Sequence, residues 1–122
     1  MKKITHEIEI GKRTLTLETG VVAGFATSAV MARYGDTMVL ATVVSKPLAN
    51  DPGYMPLTVD YIERLYAGGR IKGSQWVKRD GRPSDDQVLS ARLIDRSLRP
   101  LFPKSFRDEI QVITTVLSVD GQ

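Results

Sequence analysis

The chain contains no cysteine, so disulfides, thiolate nucleophiles and thiolate metal sites are all excluded. Long apolar runs are also missing. The longest, Met38 to Val44, is interrupted by Thr42 and is far too short to span a bilayer, so no membrane association is expected. The opening MKKITHEIEIG has two lysines but no apolar stretch behind them, so it does not read as a secretory leader. Lacking a leader and a disulfide framework, the protein is expected to be cytoplasmic.

What is present is an ordinary globular composition, 42% hydrophobic and 25% charged over 122 residues. The charge is local. From Gly68 to Pro103 there are eight Lys/Arg against four Asp, a net +4, while the whole chain is only +3. A clustered excess of this kind points to a polyanionic partner, which the small overall excess would not.

Along the chain, Ile4 to Ile10 and Arg13 to Thr19 alternate apolar and polar residues about Gly11-Lys12, which predicts an antiparallel hairpin. A second hairpin is expected from Thr27–Tyr34 through Gly35-Asp36 to Thr37–Val44. That return strand is nearly continuous in apolar residues, so it is expected to be central and covered on both faces. Pro47, Pro52, Gly53 and Pro56 mark a loop, and Leu57 to Leu65 reads as a fifth strand. After a basic loop from Gly68 to Pro83, Ser84 and Gln87 have the spacing of a capping box that starts a helix. Asp85 and Asp86 suit its first turn, and Pro100 ends it near Arg99. Leu89, Ala91, Leu93, Ile94 and Leu98 form its apolar arc. Glu109 to Val119 is a last strand. The expected fold is α+β, a mainly antiparallel sheet packed against one long helix. One helix covers little of such a sheet, so more chain or a partner subunit is expected to complete it.

Two groups of side chains suit a polyanion. Trp76, Lys78 and Arg79, with Arg82 nearby, combine an aromatic ring with cations in a Gly-bounded loop, a pattern that serves single-stranded nucleic acid by stacking and phosphate pairing, with a core-capping Trp76 and solvated cations as the competing explanation. Arg92, Arg96 and Arg99, spaced i, i+4, i+7, fall within about one sixth of the helix circumference. Every basic residue of that helix is Arg, the side chain suited to bidentate phosphate contacts. A solvated face with pairing to Asp95 and Asp85 is the competing explanation. The other candidates carry no chemistry. Gly68–Ser74 lacks the Lys-Ser/Thr of a phosphate-binding loop, no helix precedes it as an RNA clamp would need, and Ser28, Ser74 and Ser84 have no His/Asp partners. His6 reads as structural, and Asp85-Asp86 is explained by helix capping. No catalytic and no metal-binding residue is identified in the chain.

The strings GGRIKGS, WVKR and DGRPSDDQVLSARLIDRSLRPLFP, followed by QVITTVLSVD, resemble the first catalytic-fold domain of the bacterial polynucleotide phosphorylase family. TGVVAGFATSAVMARYGDTMVLATVV and PLTVDYIERLYAGG extend the resemblance through nearly the whole chain. It implies a ribonuclease-PH-like, ribosomal-protein-like β-α fold, incomplete here, with residues 1–122 forming the N-terminal part of the first such domain. It further implies a phosphate-dependent 3′→5′ exoribonuclease that degrades single-stranded RNA to nucleoside diphosphates and also runs in reverse. A divalent metal such as Mg and phosphate as co-substrate would act in a second domain, so this segment alone would be inactive. The implied assembly is a homotrimeric ring within an RNA-degradation complex. By position, Trp76-Val77-Lys78-Arg79 matches the family's Phe-Phe-Arg-Arg loop at the channel mouth, with Gln75 inserted and only Arg79 identical. Ser97 replaces a usual Pro, which implies a straighter helix. Arg92, Arg96 and Arg99 would extend the RNA track or face a neighbouring subunit. The alternatives are a single-domain ribonuclease PH trimming tRNA ends, or a non-catalytic RNA-binding ring subunit.

Overall fold

The computed structural model describes residues 2–71 and 82–121. Six strands form one sheet in the order β1-β2-β3-β4-β6-β5. They are β1 (Ile4–Ile10), β2 (Arg13–Thr19), β3 (Ser28–Tyr34), β4 (Thr37–Lys46), β5 (Leu57–Glu63) and β6 (Glu109–Ser118). The first four pair as successive antiparallel neighbours, β4 pairs antiparallel with β6, and β6 pairs parallel with β5. The sheet is therefore mixed. The parallel pair follows from the helix α1 (Asp85–Leu98), which joins β5 to β6 as a crossover and returns the chain in the same direction. The expected α+β fold of a mainly antiparallel sheet and one long helix is observed.

The sequence boundaries hold with small shifts. β5 ends at Glu63, because Leu65–Gly68 turns into a short 3-10 helix closed by Gly69 at φ 71°. One irregularity interrupts the β4–β6 ladder between Met38 and Val39, where the register jumps from Ser118 to Val116.

Register decides which residues share a face. Val39, Ala41 and Val43 of β4 lie beside Val116, Thr114 and Val112 of β6, and these beside Glu63, Tyr61 and Val59 of β5. α1 packs on this face over β5. The buried hydrophobic residues are Ile110, Val112 and Val116, all on the helix-covered side of β6. Cover stops there. Ile4 and Ile10 share that face on the far edge strand and remain 60% and 50% exposed. β4 is central, as expected, but it is not covered on both faces: its residues are half-buried at best, and Val44 is exposed. One helix over an edge strand cannot reach across six strands.

The same limit corrects the expected helix arc. Ala91, Ile94 and Leu98 are half-buried toward the sheet, whereas Leu89 and Leu93 are 60% and 68% exposed. The sheet lies on one side of α1 only, and among the described residues nothing packs on the second stripe.

Candidate nucleic-acid interface

The helix that carries the arginines is well anchored at its start. The Ser84 hydroxyl accepts the Gln87 backbone N–H at 3.3 Å, satisfying one of the donors that an α-helix leaves free, and Asp85 and Asp86 oppose the positive end of the helix dipole. The reciprocal half of the expected capping box is not formed among the described residues. Gln87 instead lines a cavity of about 740 Å³ together with Tyr61, Glu63, Arg64, Arg70 and Val116. Further along, the Ser97 hydroxyl donates to the Leu93 carbonyl at 2.9 Å, a local bond within the helix that a proline could not make.

The three helix arginines are not equivalent. Arg99 donates Nε to Asp95 Oδ1 at 2.9 Å and Nη2 to Asp95 Oδ2 at 3.0 Å, a two-pronged pair one turn apart on an exposed face. Hydrogen bonding to Asp95 is the main cause that raises the Arg99 pKa, so its charge is permanent. The expected pairing to Asp95 is thus made by Arg99, while Arg92 and Arg96 are exposed without an ion pair among the described residues. Beside them stand the exposed Leu89 and Leu93, so this face of α1 mixes cations with large apolar side chains.

Arg82 is exposed just before the helix and has no side-chain partner among the described residues. Trp76, Lys78 and Arg79 lie outside the described residues. The segments that flank them are described: Arg70 on one side lines the 740 Å³ cavity, and Arg82-Pro83 leads into α1 on the other.

That cavity was not anticipated. Its lining comes from β4, β5, β6, the 3-10 helix and the first turn of α1, elements far apart in the chain. Tyr61 donates its hydroxyl to Glu63 Oε1 at 3.0 Å; partial burial first, then this bond and the nearby carboxylate, raise the Tyr61 pKa. Sequence separation hides such a group. The available signal was Tyr61 and Glu63 following Leu57 and Val59 on one face of the strand.

A fold of this kind, a mixed six-stranded sheet with a β-α-β crossover at one edge, is shared with solved structures at low sequence identity. Rice (Oryza sativa) Rrp46 superposes with a TM-score of 0.54 at 16% identity, covering 99% of this chain and 48% of that one. The Archaeoglobus fulgidus exosome with RNA bound to the active site gives 0.54 at 18% identity, covering 85% of this chain and 43% of that one. These establish a ribonuclease-PH-like fold. Residues 11–122 match the 3′ exoribonuclease family, domain 1, and the chain belongs to that family. Among curated relatives, the polyribonucleotide nucleotidyltransferase of Desulforamulus reducens is 55% identical over 117 residues, which is 96% of this chain and 16% of that protein. The chain therefore spans about a sixth of the length of that relative.

Proposed function

We propose that the protein carrying this chain is a phosphorolytic 3′→5′ exoribonuclease acting on single-stranded RNA. The observation that carries the reading is the 55% identity, over 96% of the chain, to a polyribonucleotide nucleotidyltransferase. In the proposed reaction an oxygen of inorganic phosphate attacks the phosphorus of the last phosphodiester. The P–O3′ bond breaks, a nucleoside diphosphate leaves, and the shortened RNA keeps a free 3′ hydroxyl. Run backwards, the same steps add nucleotides. The family resemblance also supports a homotrimeric ring, cytoplasmic location and a place in an RNA-degradation complex.

Divalent metal such as Mg would stabilise charge on the reacting phosphate. Among the described residues no three His, Asp or Glu side chains converge to hold an ion, so no step is assigned to a metal here. The role proposed for this chain is to hold RNA. Trp76 would stack a base while Lys78, Arg79 and Arg82 neutralise phosphates. For Arg92 and Arg96 the adjacent exposed Leu89 and Leu93 favour an assembly face over an RNA track, because phosphate backbone gives bulky apolar side chains nothing to bury against.

The test is incubation of the full-length protein with poly(A), phosphate and magnesium, with products separated by chromatography. Nucleoside diphosphate formed only when phosphate is present supports the reading. No diphosphate at any metal concentration rejects it. The paired variant Lys78→Ala, Arg79→Ala tests the loop: each lost phosphate contact should flatten the log–log salt dependence of single-stranded RNA binding by about 0.7.

A further inference from the structure

At the C-terminal end of α1 a second pocket of about 450 Å³ opens between the 47–56 loop and the turn that follows the helix. Three aromatic rings line it, Tyr54, Phe102 and Phe106, and so do three cations, Arg99, Lys104 and Arg107; no carboxylate is among its lining residues. Its walls are tied down. The Phe102 and Phe106 rings stand 5.7 Å apart with planes tilted by 37°, and the Phe106 N–H closes a turn on the Pro103 carbonyl at 3.0 Å. Asp51 joins the two sides: its Oδ1 accepts the Gly53 N–H at 2.8 Å and lies 3.3 Å from Arg107 Nε. Arg107 also donates to the carbonyls of Lys104 and Phe106. At the base of the loop, the Ile110 N–H reaches the Pro56 carbonyl at 2.9 Å.

The cations are unequally committed. Arg99 is engaged by Asp95, and Arg107 by Asp51 and two carbonyls. Lys104 is exposed and makes no ion pair among the described residues. Tyr54 lines the same pocket and is 62% exposed, and its hydroxyl has no partner among the described residues. A simple anion would use the cations and leave the rings idle. An apolar ligand would desolvate the cations without return. A ligand with a flat π-face and an anionic group uses both, and the volume lies in the range of small-molecule sites.

We propose that this pocket binds a nucleotide unit, with its base against Tyr54 and its phosphate against Lys104. The unit is either a free nucleoside diphosphate or one residue of a single-stranded RNA; both present the same chemistry. The inference goes beyond the phosphorolysis proposed above and does not depend on it, since a poly(A) assay reads turnover and the experiment below reads occupancy.

The experiment is photo-crosslinking of the intact protein with azido-ADP and, separately, with an oligoadenylate carrying one azidoadenosine, followed by peptide mapping. Label is expected in the segment around Tyr54 or in Phe102–Arg107, with unlabelled ADP competing. Lys104→Glu and Tyr54→Ala, both at exposed positions, should each reduce that label about tenfold, on the scale of a lost base stack. Label from azido-ADP alone identifies a free-nucleotide site, and label from the oligoadenylate identifies a strand contact. The proposal is overturned if neither reagent labels these segments, or if Lys104→Glu, folded by circular dichroism, labels as strongly as the wild type.

Discussion

Asp95 grips Arg99 through two parallel hydrogen bonds of 2.9 and 3.0 Å, one helical turn apart, and so removes one arginine from a face where Arg92 and Arg96 make no ion pair among the described residues. Asp95→Asn should therefore release Arg99. As an exposed i, i+4 pair it contributes well under about 1 kcal/mol, so denaturant midpoints should scarcely move. If Arg99 then reaches RNA, the salt slope of binding should steepen by about 0.7. An unchanged slope, together with a lower oligomer mass for Arg92→Ala with Arg96→Ala in sedimentation, is the outcome expected of an assembly face.

The cap of α1 sets a second expectation. Ser84→Ala removes the acceptor for the Gln87 N–H and should cost about 1 kcal/mol, while Ser84→Asp should restore most of it. Urea unfolding of the three proteins measures both changes.

Asp120 gathers the end of β6 onto the β3–β4 turn. Its carboxylate accepts the Asp36 N–H and the Thr37 hydroxyl, each at 3.1 Å, and lies 3.4 Å from Arg13 Nη1. Asp120→Ala leaves these donors without their acceptor and should destabilise by about 1–3 kcal/mol. Gly35→Ala attacks the same point sterically. At φ 61° an added Cβ would sit 2.6 Å from Asp120 Oδ2 and 2.9 Å from Arg13 Nη1. The double variant should lose less than the sum of the singles, because both disturb one contact. Thermal melts of the four proteins test this.

Alkaline pH should expose Tyr61. Burial, the bond to Glu63 and its charge all raise the folded phenol pKa above the ordinary value of 10.0. Between the unfolded and folded values the native state holds the proton more tightly, so its contribution is complete below pH 10.0 and fades as pH rises through the folded pKa. Tyr61→Phe should flatten the stability loss above that point and remove a late-titrating component from the phenolate absorbance.

Local chemistry made much of the fold legible. Alternation identified the strands of the first hairpin, the Gly35-Asp36 turn and an apolar run those of the second, and Ser84 with Pro100 bounded α1, because turn, capping and proline effects act over a few residues. The arginine spacing was equally legible, but its meaning was not. Asp95 could serve any arginine on its face, and only the folded rotamers show that it takes Arg99. The exposed Leu89 and Leu93 looked like core because periodicity reports an apolar arc without saying how wide the covering surface is. Trp76, Lys78 and Arg79 remain a sequence-level assignment.

By itself the sequence determined the elements, the concentration of positive charge between Gly68 and Pro103, and, through its long matching strings, the family. Those are properties of near neighbours and of text. The tertiary structure decided what depends on residues far apart in the chain. It placed β5 parallel to β6 through the crossover, drew Asp120 to Arg13 and Asp36, and brought Tyr54 and Lys104 to the lining of one pocket. It also left most of one sheet face uncovered. Contacts of this kind are chosen by sheet order and register, which no local pattern encodes.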